Sequence, residues 1–154
     1  EENRRRFLSL FPGERRLATA WQVHGDGVKI VDSPEAAAAT EERFDSLVSD
    51  MPGILLGVKT ADCVPVLIGD PRTGSFAAIH AGWRGTVRSI VAKAVMKMLE
   101  NYGAVPADMI AAIGPAACGR NYEIGEDVIL EFTESFPEAD KYFSATRPGH
   151  ALID

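Results

Sequence analysis

Val87, Ile90, Val91, Ala94, Val95, Met98 and Leu99 recur at helical spacing directly behind three β-rich runs, Ile54 to Thr60, Val64 to Ile68 and Ser75 to His80. A chain whose apolar period switches in this way has to pack a long amphipathic helix against a sheet. Asp70-Pro71-Arg72-Thr73-Gly74 makes a tight turn between the second and third runs, and Gly103 follows the helical stretch as a stop signal. Met109 to Ile113 reads as another buried strand, and Gly125 to Phe136 as a second helix ended by Pro137. Upstream, Leu17 to Val31 is strand-like and broken by His24-Gly25-Asp26-Gly27, the pattern of a hairpin. Ser33 to Arg43, with Pro34 and four alanines, reads as a short solvated helix or a loop. The expected fold class is α+β, a mixed β-sheet with flanking helices.

The 154 residues suit a single domain, 1–154, with one core and one site. Its 46% hydrophobic and 25% charged residues are ordinary for a globular chain. A formal charge of −6 would repel a phosphate backbone, so nucleic acid is not an expected partner. Apolar stretches such as Ile54 to Val58 fall far short of the roughly 20 residues of a membrane span, so no membrane is expected. Glu1-Glu2-Asn3-Arg4-Arg5-Arg6 has neither an initiator Met nor a long apolar run behind it. It reads as a cut into a longer chain rather than a secretory signal, and the expected location is cytoplasmic. There Cys63 and Cys118 are expected to be free or metal-bound, not bridged.

Two of the three histidines, His24 and His80, sit where strands meet glycine-rich turns, and Cys63 is placed likewise. Side chains at strand ends are held rigidly with their tips toward a cleft. Two imidazoles and one thiolate suit Zn²⁺ and leave its fourth tetrahedral position open. The spacing, 39 residues from His24 to Cys63 and 17 more to His80, is no zinc-finger pattern, and three other readings stand beside a catalytic metal. Each residue taken singly is as well explained by packing. Cys63 also suits a nucleophile with His80 or His24 as its base, as in thiol hydrolases and deamidases. A zinc-stapled structural module would need a fourth ligand, for which Cys118 is the available thiol. Beside the trio, Gly82-Trp83-Arg84-Gly85-Thr86 leads into the long helix, which is either a plain helix entry with a solvent-facing Arg84 or a place where unpaired amides and the Arg84 fork would favour phosphate. Asp62 is a candidate acid, base or partner to a ligand. Trp21 and Trp83 read as core or pocket wall, and His150 is given no role.

The phrases QVHG, TADCVPVL, HAGWRGT and AAIGPAACGRNYEIG, in this order over Trp21 to Val128, resemble the laccase-domain family described as purine nucleoside phosphorylases. The resemblance implies zinc held by His24, Cys63 and His80. It implies purine nucleosides and phosphate as partners, with phosphorolysis of adenosine, inosine and methylthioadenosine and deamination of adenosine. It also implies a fold like the catalytic domain of cytotoxic necrotizing factor toxins, and further chain at both ends of the region seen here. The family's older name suggests copper oxidation of phenols, but three histidines are too few for several coppers. The His-x-Glu with a later Cys-x-x-Cys of the zinc deaminases is absent as well, so deamination would need another arrangement.

Overall fold

The computed structural model describes residues 2–154. Helix α1 (Glu2–Leu8) is followed by strands β1 (Arg16–Ala18) and β2 (Val28–Ile30). Ser33 caps the short helix α2 (Pro34–Ala38) by accepting the Ala36 N–H, with Pro34 preset in its first turn. Strands β3 (Ser46–Ser49), β4 (Ile54–Leu56), β5 (Val64–Gly69) and β6 (Phe76–Ala81) come next, then helices α3 (Trp83–Val87) and α4 (Ile90–Tyr102). Strands β7 (Ile110–Ile113) and β8 (Glu123–Gly125), helix α5 (Glu126–Ser135), and strands β9 (Phe143–Arg147) and β10 (His150–Ile153) complete the chain.

A five-stranded sheet in the order β2-β3-β6-β5-β7 forms the centre. It is mixed: β2 runs parallel to β3, and the other neighbours are antiparallel. Ile90, Ala94 and Met98, four residues apart and fully buried, form one stripe of α4 against Val48, Val66, Ile68, Ala77 and Ile79. Burying side chains such as Ile90 and Met98 stabilises by about 1.5–3 kcal/mol each. Gly103, at φ 64, ends the helix by donating its N–H to the Leu99 carbonyl. Alternation along β6 sends Ala77, Ile79 and Ala81 toward α4, so His80 projects from the opposite face. The α+β expectation holds, with two smaller sheets, β1-β4 and β8-β10-β9, beside the central one.

Four local expectations change. Leu17 to Val31 is no hairpin: β1 pairs with β4 and β2 with β3, both in parallel, so the turn at His24 joins two different sheets. The long helix begins at Ile90, because Ser89 adopts a left-handed conformation (φ 61). Val87 belongs to the separate five-residue α3 and packs with Trp83 against Ile124, Val128 and Phe132, not against the sheet. Strand β7 is exposed along its whole length, with Ile110 at 67% and Ile113 at 76%, where a buried strand was expected. The α2 segment is helical but not wholly solvated, since Ala37 is buried against Val31 and Leu47. Among the described residues no helix is long and apolar enough to cross a membrane.

Candidate metal centre

His80 reaches the site as the penultimate residue of β6, with only 3% of its surface exposed. Cys63 immediately precedes β5, whose Val64 is paired with Ala81 across the antiparallel ladder, so the thiol arrives beside the end of β6. His24 comes from the turn between β1 and β2, and its own backbone is left-handed (φ 56), a sparsely populated conformation for a residue with a side chain. The ligand atoms of His24, Cys63 and His80 all lie within 4.8 Å of one another. The two imidazoles meet edge-on, centroids 4.9 Å apart and planes at 80°.

Gly82 forms the floor under this trio. A Cβ there would come within 3.2 Å of His24 Cδ2, 3.3 Å of Cys63 Sγ and 3.8 Å of His80 Cε1. The three side chains therefore converge on a space that only a residue without a side chain leaves open. Two borderline nitrogens and one soft sulfur, aimed at a common point, fit a divalent d-block ion. Cys118 is exposed and lies outside the group, so the fourth ligand of a closed structural site is not supplied by it.

Asp45, which no sequence pattern singled out, lies beneath the ligands and is fully buried. Its Oδ1 accepts the His24 N–H at 3.0 Å and lies 2.8 Å from His80 Nδ1. Its Oδ2 accepts the N–H groups of Val23 and Gly25 at 3.1 and 2.8 Å. Three successive amides around a left-handed residue form a concave anion-binding nest, here filled by the protein's own carboxylate. The side-chain amide of Gln22 clamps the neighbouring segment, donating to the Lys59 carbonyl and accepting its N–H, both at 2.7 Å.

Two hollows meet at Cys63, and the two histidines line the larger of them. One, of about 570 Å³, is lined by Trp21, Gln22, His24, Lys59, Asp62 and Cys63 among others. The second, of about 260 Å³, shares Cys63 with the first and is walled by Trp83, Thr86, Tyr122 and Phe132. Asp62 is exposed and borders both. Trp21 is 59% exposed, a pocket wall and not core. Burial, with the Asp62 and Asp45 carboxylates nearby, pushes the Cys63 thiol up. Burial also raises the Tyr122 hydroxyl, helped by Cys63 and Asp62, so the phenol keeps its proton at neutral pH.

Arg84 is not brought in with the trio. It is exposed on α3, with its guanidinium 4.1 Å over the Trp83 ring. The amide of Thr86 is already donated to the Gly82 carbonyl at 2.9 Å, and the long helix starts four residues later. The helix that begins behind Gly82 is thus the five-residue α3 and not the long α4, and Arg84 is its second residue.

A sequence model of the family described as multi-copper polyphenol oxidoreductase laccase matches residues 1–154. The chain belongs to that family. It is 47% identical over 111 residues to a purine nucleoside phosphorylase of Deinococcus radiodurans, covering 72% of this chain and 42% of that one. It is 41% identical over 155 residues to a purine nucleoside phosphorylase of Streptomyces griseus, covering 99% of this chain and 60% of that one. Among solved structures, the laccase-family chain matches YfiH of Bacillus licheniformis with a TM-score of 0.91 at 28% identity, covering 99% of this chain and 60% of that one. YlmD of Geobacillus stearothermophilus gives 0.86 at 32% identity, with 99% and 59% covered. The chain spans about half the length of the curated relatives it matches.

Proposed function

We propose that this chain carries the metal centre of a zinc-dependent purine nucleoside phosphorylase that also deaminates adenosine. The reading rests on the convergence of His24, Cys63 and His80 over Gly82, in a chain whose relatives bear the phosphorylase name. His24, Cys63 and His80 would hold the ion, and zinc so bound supplies Lewis acidity to a substrate oxygen or water.

In phosphorolysis a phosphate oxygen bonds to the sugar's anomeric carbon as the bond from that carbon to the purine nitrogen breaks, and the departing base takes up a proton. Our candidate donors are Tyr122, which holds its proton at neutral pH, and Asp62, which borders both hollows. Arg84 supplies the positive charge for phosphate on the Trp83 side, and the exposed Trp21 indole offers a face on which a purine stacks.

A thiol mechanism uses the same atoms, because Asp45, His80 and Cys63 are arranged like a nucleophile triad. Burial holds the Cys63 thiol up, so a thiol mechanism would need His80 to take its proton as base, whereas a bound cation would stabilise the thiolate directly. The test is an assay of the full-length protein with adenosine plus phosphate, following ribose 1-phosphate and inosine separately. Chelation should abolish turnover and zinc should restore it. Full activity after metal removal would end the zinc reading in favour of the thiol.

A further inference from the structure

We infer that Asp45 is the positioning residue of the metal centre, one carboxylate that sets two of the three ligands at once. The inference rests on the metal reading above and concerns how the chain builds that site.

The amides of Val23, His24 and Gly25 donate to Asp45, and His80 Nδ1, 2.8 Å from Oδ1, is read as the fourth donor. Only an ionised carboxylate offers acceptors to all four. Its contact with His80 requires the proton on Nδ1, which leaves the Nε2 lone pair for the metal. Its contacts with three consecutive amides hold the His24 turn in the left-handed conformation that swings the imidazole toward His80. The backbone adds a further tie, since the His80 N–H donates to the Asp45 carbonyl at 2.8 Å. Cys63 has no hydrogen bond to Asp45, so loss of the carboxylate strikes the two histidines and spares the thiol's placement.

Asp45→Asn keeps the shape but replaces one oxygen by an NH₂. That group must face either the Val23 and Gly25 amides or the His24 amide and the His80 ring, donor against donor in both cases. Zinc affinity, read by competition with a chromogenic chelator, should fall by about 10- to 100-fold. The Co²⁺-substituted variant should show an altered d–d spectrum, while circular dichroism of the metal-free forms stays alike. Unchanged zinc affinity with an unchanged Co²⁺ spectrum would overturn the inference and leave Asp45 a purely structural residue. Because the variant replaces a buried charge, a second measurement uses the unaltered protein loaded with zinc. Long-range ¹H–¹⁵N correlation should show His80 with a protonated Nδ1 and a metal-bound Nε2, and the opposite assignment would overturn the inference without any variant. A wild-type chain that takes up no zinc would instead defeat the metal reading itself.

Discussion

Gly85 rests directly on Gly25: a Cβ added to Gly85 would lie 2.7 Å from the Gly25 carbonyl oxygen. That contact brings the short helix α3 against the turn carrying His24, so the two ends of the site are joined by backbone meeting backbone. No flexible side chain can yield there. Gly85→Ala should push the His24 turn away from Cys63 and His80, lowering the melting temperature and the zinc content together. The cost should be in the range of about 1–3 kcal/mol for an overpacked contact. Normal zinc content with a normal melting temperature would show that the turn relaxes freely.

Gly82 makes a different prediction, because its backbone (φ −73, ψ 166) suits any residue. Gly82→Ala should fold nearly as stably as the parent while its methyl group intrudes between His24 and Cys63. Isothermal titration of the metal-free protein with zinc should show affinity reduced by about tenfold or more, the scale of a disturbed ligand shell. A stability loss as large as that of Gly85→Ala, with zinc binding intact, would contradict the placement of Gly82 under the ligands.

The two thiols should react in a set order. Cys118 is exposed and held down by the Arg120 N–H and side chain, whereas burial holds Cys63 up. In metal-free protein near pH 7.5, iodoacetamide should label Cys118 first, as mass spectrometry of the peptides would show. Zinc should protect Cys63 and leave the rate at Cys118 unchanged. Preferential labelling of Cys63 would mean that it is the activated thiol.

Arg84→Ala should raise the apparent phosphate KM for phosphorolysis by roughly tenfold, corresponding to one lost charge-assisted contact of about 1.5–3 kcal/mol. Zinc content and phosphate-independent deamination should change much less. Equal loss of both activities would place Arg84, with its stack on Trp83, in support of the fold or the nucleoside instead.

Acid should loosen the C-terminal sheet in a defined window. The Arg147 guanidinium, then the Thr146 hydroxyl, hold the Glu123 carboxyl down to about 2 from its ordinary 4.5. The pair reaches across β10 to tie the two outer strands. With the folded pKa below the unfolded one, this contribution is complete above pH 4.5 and is lost as the pH falls toward 2. Glu123→Gln should flatten that part of the melting temperature against pH, leaving neutral and alkaline behaviour alone. An unchanged acid limb would show the pair to be without effect on stability.

Local pattern by itself determined the β5-β6 hairpin, the stripe of Ile90, Ala94 and Met98, and the glycine stop at Gly103, because each is fixed by neighbours a few residues away. It also marked His24, Cys63 and His80, whose chemistry shows in their residue type. Where the chain reverses through a contact distant in sequence, the pattern failed. The turn at His24 looks like a hairpin turn, yet β1 and β2 leave for different sheets, since their parallel partners β4 and β3 come later in the chain. Val87 continues the helical period of α4, but the left-handed Ser89 divides the helix and sends Val87 to another cluster. Asp45 is the clearest case: beside a strand it looks like any strand-end acid, and its four side-chain hydrogen-bond partners come from residues 20 to 35 positions away. A carboxylate's role is set by which donors surround it, and only tertiary packing brought the His24 turn and β6 to the same two oxygens.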